Sequence, residues 1–577
     1  MTSEFDLGHH SRPVTTSSRD AQRAFDRGLN WLYGYNHEAA AEAFEQAWVA
    51  DRGCGAALWG FAHAIGPNYN KPWEFFDAGE RTTSLARAHK AISDAKALKN
   101  SLSKVENDLI LALAERYPDD PEIEDYGPWN DAFSNAMRKV YAAYPDDLDV
   151  TTIFAESLMN RTPWQLWDLK LGGPMDGAST LEAQAALERA FEQIPGAWDH
   201  PGLLHMYIHL MEMSPTPEKA LRHGDRLTDL VPDSGHLIHM ATHIDLLCGD
   251  YQNVIARNRK AAQIDRKYET FAGAQNFYTI YRIHNVHFEA YGAMFLGQPE
   301  VALAASDRLI EMLPEEVVRF MPKLFESFYG KKIHVMVRFG QWQEILDEPI
   351  PADRELYRYT TSAMHQARAI AHANLSQPEE AGKERALAIA VREAIPEDWM
   401  VFNNTADDVL KVGEAMMDGE MAFKGGRIEE GLDHLRRSVE LDDNLLYDEP
   451  WGWMQPPRHA LGALLMEAGQ FDEAEAVYRA DLGLDETLAR PCQHPRNVWS
   501  LHGLHECLVR RGERNEARHL KLLLDQSMAR ATVPIRASCY CRSKASDAQP
   551  LTLPPFASNR LPDPVIAILG GGADCCG

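Results

Sequence analysis

Twenty-three histidines stand in this 577-residue chain, and seven of them recur at spacings that suit metal ligation. His205 and His209 are four apart, as are His239 and His243, so each pair shares one face of a helix. His205 and His239 are separated by 34 residues, and so are His209 and His243. His236 precedes His239 by three, Glu212 follows His209 by three, and His284 and His287 form a third pair three apart. Their neighbours are apolar: Leu203, Leu204, Met206, Ile208 and Leu210 around the first pair, Leu237, Ile238, Met240 and Ile244 around the second. An unpaired imidazole in such surroundings costs about 1–3 kcal/mol. Mutual hydrogen bonding or a metal ion would compensate.

The chemistry follows from the donor types. Imidazole suits copper, iron, zinc and nickel, whereas calcium and magnesium take oxygen-rich sites. His-Glu-x-x-His is absent, as are paired Glu-x-x-His helices. Two arrangements remain: a paired-metal site with about three His per ion, or a mononuclear site on His205, His209 and Glu212 with open positions. Copper or iron is favoured and zinc possible. The expected activity is an oxygen-using oxidoreductase acting on a small molecule. The enzymatic alternative is a zinc hydrolase that lowers the pKa of water. Tyr207, Tyr281 and Arg282 lie on or beside the same helices and are the candidate catalytic residues. Isolated histidines such as His63, His334, His365 and His372 read as hydrogen-bonded core residues.

A second polar cluster comprises Arg458, His459, Trp499, His502 and His505, with His459 and His502 43 residues apart. It reads as a distal substrate-binding surface, or as part of the same site if the chain curls closed.

The elements that position these residues are helical repeats. A short Gly turn recurs as Gly249-Asp-Tyr, Gly297-Gln-Pro, Gly340-Gln-Trp, Gly426-Arg-Ile, Gly469-Gln-Phe and Gly512-Glu-Arg, at spacings of 43–48 with one gap of 86. Ser376-Gln-Pro falls in the gap as a degenerate copy. Each turn joins two stretches of helical period, as in Ile428, Leu432, Leu435 and Val439. Such helices bury their apolar stripes only against stacked neighbours. The predicted pairs run Ala21–Tyr35 with Glu38–Ala50, Pro201–Met213 with Pro217–Leu230, and Gly235–Leu247 with Tyr251–Ile264; Phe277–Phe295 is next, and Ser234 is the expected cap of the helix after it. First helices of successive pairs lie roughly 8–10 Å apart, close enough for imidazoles to converge on the concave side.

Gly28…Trp31…Ala39…Phe44 and Gly462…Gly469…Ala474…Tyr478 resemble the tetratricopeptide repeat (TPR). His200-Pro-Gly-Leu-Leu-His205-Met-Tyr-Ile-His209 and Ser234-Gly-His236-Leu-Ile-His239-Met-Ala-Thr-His243 resemble a broad family of long TPR proteins, as do Tyr281-Arg-Ile-His284-Asn-Val-His287, Glu449-Pro…Pro457-Arg-His459 and Asn497-Val-Trp-Ser-Leu-His502. The resemblance spans most of Ala21–Ala531. It implies an all-α, tetratricopeptide-like superhelix of antiparallel helix pairs and no particular activity. The expected layout is a polar N-terminal tail over 1–18, one continuous superhelix over 19–543 with the His-rich segment at 199–290, and a Pro/Gly-rich tail over 544–577.

The remaining composition narrows the partners. Asp plus Glu number 85 against 58 Lys plus Arg, a formal charge of −27. Such a surface repels phosphate backbones and anionic lipid, so neither nucleic acid nor membrane is an expected partner. A small-molecule substrate or a short peptide in the concave groove is expected, and a non-enzymatic scaffold that binds a peptide or protein there is the rival function. No secretory signal or spanning segment is read. Cys54, Cys248, Cys492 and Cys507 are isolated, which suits a reducing, cytoplasmic setting. Cys539-Tyr-Cys541 and Cys575-Cys576 read first as incidental thiols of an exposed tail, and second as a soft-metal or redox pair. Phosphate loops, dinucleotide fingerprints, nucleophile elbows and EF-hands are absent.

Overall fold

A computed structural model describes residues 5–542. The 544–577 tail, with Gly570–Gly572 and Cys575-Cys576, lies outside the described residues. Helices dominate, and the only ladder among the described residues is the two-residue hairpin Met400–Val401 with Asn404–Thr405.

Helices pair antiparallel and stack. Arg19–Tyr33 packs on His37–Ala50, Gly235–Leu247 on Tyr251–Ala272, Thr279–Leu296 on Pro299–Glu311, and Arg358–Asn374 on Pro378–Glu393. The series continues with Ala406–Lys424 on Ile428–Asp442, Pro457–Ala468 on Phe471–Asp481, and Val498–Arg511 on Arg514–Met528. First helices of neighbouring pairs also touch, which makes the chain an all-α, tetratricopeptide-like superhelix.

The turns have a common backbone. Gly249, Gly297, Gly340, Gly426, Gly469 and Gly512 all take positive φ, between 65° and 82°. Ser376 takes the same left-handed conformation at φ 60°, so the copy without Gly keeps the turn. In the first pair the left-handed residue is Tyr35, at φ 53°, one past Gly34. Close packing explains the small residues on the helices. A Cβ at Gly28 or Gly60 would stand 2.7 or 2.5 Å from the Phe44 ring, and one at Gly462 or Gly503 would stand 2.5 or 2.3 Å from Tyr478. In both places, two successive first helices grip one aromatic ring of the helix between them.

Three local expectations are corrected. The predicted helix Pro217–Leu230 is a 3-10 turn, Pro217–Ala220, followed by Leu221–Leu227. Gly224 weakens it, and Pro232 disfavours helix in the residue before it. Ser234 occupies the cap position of Gly235–Leu247, but its side chain makes no capping bond. The 1–18 segment is no loose tail from residue 5 onward. Phe5 and Leu7 are buried, and Arg12 donates to Asp147 and to Asp149 at 3.0 Å. His10 and His200 each reach the same Asp149 carboxylate, which ties this strap to the helix that carries His205.

The superhelix also closes on itself. Tyr251 Oη donates to Pro495 O at 2.9 Å, Arg490 Nη1 to Leu247 O at 2.8 Å, and Trp499 Nε1 to Met294 O at 2.7 Å. This closure carries the 447–455 loop onto the His-bearing helices.

Candidate metal centre

Three helices and one turn build the centre. Pro201–Glu212 starts with Pro at its first position, and His200 Nδ1 accepts the Leu203 N–H at 3.1 Å. Gly235–Leu247 lies alongside it, and Thr279–Leu296 lies alongside Gly235–Leu247. The left-handed Tyr35 stacks on His209 and His236, with interplanar angles of 20° and 19°.

The imidazoles gather in two triads. One is His205, His209 and His236; the other is His239, His243 and His284, and within each triad one ring nitrogen per residue lies within 4.8 Å of the others. His284 is half-buried and the other five are buried. They therefore stand inside the packed wall, not on an open concave face.

Proton positions follow from the partners of the outer nitrogens. His205 Nδ1 faces the Tyr33 carbonyl at 2.7 Å, so it must donate and leave Nε2 as a lone pair. His209 Nδ1 faces Glu212 Oε1 at 2.9 Å and donates to it when that carboxyl is ionised. His239 Nδ1 faces Asn258 Oδ1 at 2.6 Å. The Asn258 amide is fixed the other way round, since its Nδ2 donates to the Val254 carbonyl at 2.8 Å. His243 Nδ1 lies 3.1 Å from Glu212 Oε2 and also against Glu449. These contacts turn the Nε2 atoms inward. His236 Nε2 stands 3.2 Å from His205 Nε2, and His243 Nε2 stands 2.8 Å from His239 Nε2. His209 Nε2 has no protein partner. Outer groups that fix the tautomer and orientation of each ring are what ligating histidines require.

Burial sets the charge state. It holds His209 down to about 3 and His239 to about 4. Burial, reinforced by neighbouring imidazoles, holds His205, His236, His243 and His284 well below the ordinary range. All six are neutral at pH 7, the form that ligates. Glu212, fully buried, is pushed well above the usual carboxylate range.

A cavity of about 70 Å³ adjoins the triads, lined by His236, His243, His284, Tyr281, Glu449 and Trp164 among others. It reaches the surface beside Phe75, which is 45% exposed.

The remaining candidates divide. Tyr281 fits the site, with its ring centroid 4.5 Å from that of His236. Glu212 is placed behind His209 and His243, so the mononuclear His205/His209/Glu212 set is not assembled. His287 faces away, with Nε2 3.3 Å from Met454 Sδ and its ring beside Phe328. Tyr207 donates to Glu188 at 3.0 Å and packs on His223, on the outer side of its helix. Arg282 pairs with Glu269 at 2.5 Å and donates to Thr279, holding neighbouring turns together.

The second cluster is likewise committed to structure. Arg458 pairs with Asp443 at 2.5 and 2.6 Å. His459 sits between Asp481 and Arg338, each at 3.0 Å, while the Trp499 ring lies 3.8 Å beneath the Arg338 guanidinium. His502 and His505 lie on Val498–Arg511, where burial pulls both imidazoles below their ordinary pKa. Arg458, His459 and Trp499 thus stand in a packed, charge-paired joint, whereas His502 Nδ1 and His505 Nε2 have no hydrogen-bond partner.

Sequence reasoning missed Tyr35, Asn258 and Glu449 as site residues. Glu449 lay in a quoted motif, Glu449-Pro…Pro457-Arg-His459, so a signal existed without a target. Tyr35 and Asn258 carried none, because a single aromatic in a turn or a single amide on a helix looks like any other.

No helix among the described residues is long and apolar enough to cross a membrane. No family model matches the chain, and no curated protein matches it. Solved structures do match along its length. A monomeric mutant of IFIT1 with Gppp-AAAA is 10% identical over 89% of this chain and 91% of that one, with a TM-score of 0.30. The APC/C heterotetramer Cut9–Hcn1 matches at 13% identity over 89% and 97%, with a TM-score of 0.26. Naa15/Naa10 bound to HypK-THB matches at 12% over 89% and 79%, with a TM-score of 0.20. None is similar enough to lend its ligand to this chain.

Proposed function

We propose that the six imidazoles hold one or two transition-metal ions, copper or iron in preference to zinc, and that the protein uses them in oxygen-dependent oxidation of a small molecule. The observation that carries this reading is the inward direction of the Nε2 lone pairs. His205 and His239 already donate through Nδ1. Where both rings of a facing pair donate outward, their Nε2 lone pairs repel unless a cation lies between them, and burial disfavours a second, charging proton on either ring. A donor set of nitrogens without thiolate suits copper, iron or zinc. Three nitrogens per ion leave a coordination position free for oxygen or substrate.

The chain's own contribution is orientation and exclusion. Tyr33, Glu212 and Asn258 fix the rings, Tyr35 covers them, and the adjoining 70 Å³ has room for dioxygen or a few waters. A larger substrate would therefore react at the Phe75 end of this cavity. If the resident ion is zinc, the same open position supports a hydrolase instead.

A scaffold reading is supported by a different place. An open cavity of about 580 Å³ is lined by Glu38, Glu42, Glu45 and Glu80 with Lys71 and Arg87. Its acidic excess suits a basic peptide. Tyr35 lines this cavity as well as stacking on the imidazoles.

The test is metal content. Protein purified without chelators or nickel resin is expected to carry about one or two equivalents of copper, iron or zinc, lost in His205→Ala/His239→Ala. Oxygen uptake with small reductants then separates oxidation from hydrolysis. No metal in either protein, with the variant folded as the parent by circular dichroism, overturns the reading and leaves the scaffold.

A further inference from the structure

Among the described residues, the chain stays on the fold after the helix Arg514–Met528. Thr532 N donates to Gly297 O at 3.1 Å. Ser538 Oγ donates to His459 O at 2.8 Å, and Arg338 donates to Ser538 O. Beyond the two thiols, Arg542 makes a double bond pair with Glu506, at 2.7 and 3.0 Å. Cys539 and Cys541 are thus pinned from both sides. The exposed-tail expectation for them is corrected: they are 7% and 0% exposed.

A carboxylate meets them. Glu420, on Ala406–Lys424, is fully buried, and one of its oxygens lies within 4.8 Å of both sulfurs, as the sulfurs do of each other. Glu420 Oε2 accepts from Asn374 at 3.2 Å, whereas Oε1 has no hydrogen-bond partner. The Cys541 N–H points at Cys539 Sγ, at 3.2 Å. Leaving a buried carboxyl oxygen unpaired costs about 1–3 kcal/mol. Burial lifts Glu420 to about 7 and raises the Cys541 thiol.

We propose that Glu420, Cys539 and Cys541 bind one thiophilic d10 cation, Zn²⁺ or Cu⁺, which fastens the C-terminal segment to the 406–424 helix. Two thiolates select such ions, and a carboxylate third ligand suits zinc. Binding replaces both thiol protons and any carboxyl proton, which pass to solvent, and no redox step is involved. Zinc with three anionic ligands leaves a net negative charge. Lys424 and Arg338 lie close enough to act on the thiols and offset it. The site shares no residue with the six-imidazole centre, so either stands without the other.

The test uses the full chain, purified under reductant and stripped by chelator. Titration with Co²⁺ is expected to give a thiolate-to-cobalt charge-transfer band saturating at about one equivalent and displaced by Zn²⁺. Imidazole and carboxylate ligands cannot give that band. It should vanish in Cys539→Ser/Cys541→Ser, need roughly tenfold more metal in Glu420→Gln, and persist in Cys507→Ser. An anaerobic Cu⁺ arm that binds in place of Zn²⁺ and is lost in the same variants also supports the site and assigns the cuprous form. If the double variant misfolds, Glu420→Gln, nearly isosteric, decides. Absence of the band in folded parent protein with no Cu⁺ capture, a band that survives the double variant, an unchanged titration in Glu420→Gln, or a Cys539–Cys541 disulfide in reductant-purified protein would each overturn the proposal.

Discussion

His239 and His243 face each other Nε2 to Nε2 at 2.8 Å, one turn apart on a single helix. The outer nitrogen of His239 already donates to Asn258, and that of His243 lies against Glu212 and Glu449. A neutral imidazole has one proton. If both are spent outward, the inner pair has none to share.

Asn258 therefore acts as a positioning residue. Asn258→Leu keeps the branched skeleton and removes the acceptor that fixes the His239 tautomer. Metal affinity is expected to fall about 10- to 100-fold, read by competition with a chromophoric chelator. Content at saturating metal should stay unchanged. Unchanged affinity would mean that the His239 orientation is set by packing alone.

Glu449 comes to the centre from outside the His-bearing helices. Glu449→Gln removes charge from the site with little change in shape. Affinity for a divalent ion is expected to drop roughly tenfold, while the metal-free protein loses no stability in urea. A large loss of metal-free stability would instead assign Glu449 to the joint between the two ends of the superhelix.

Acid should unfold the metal-free protein early. The buried imidazoles have folded pKa values below the ordinary 6.5, with His239 near 4 and His209 near 3. As pH falls below 6.5 the unfolded chain takes up protons that the folded chain refuses, so stability falls. Each such group contributes about 1.4 kcal/mol per pH unit across its gap. Thermal melts from pH 7 to 4 are expected to show a steep loss that saturating metal displaces to lower pH. A flat profile would contradict the neutral, buried state of these rings.

The turns give a test of the repeat. Ser376 holds a left-handed backbone that glycine adopts freely, and Ser376→Gly is expected to stabilise by about 0.5 kcal/mol, net of the extra flexibility of the unfolded chain. Gly469→Ala has open space around its new Cβ. It should still cost about 1 kcal/mol, from φ alone. Urea midpoints with unchanged slopes would measure both. Equal and negligible shifts would show that these turns are set by packing of their helices.

Local periodicity determined the helices, their left-handed turns and the sharing of one helix face by His205 and His209, or by His239 and His243. These depend on 3.6 residues per turn and on which residues tolerate positive φ, both properties of the chain nearby. The same periodicity says nothing about which face meets which neighbour. Tertiary packing joined His236 to the first triad and His284 to the second, and turned His287, Tyr207 and Arg282 elsewhere. It brought Tyr35 over the rings, and closure of the superhelix delivered Glu449 to His243 and Cys539 and Cys541 to Glu420. Those meetings depend on helix rotation and curvature summed over many pairs, a sum that no single motif contains.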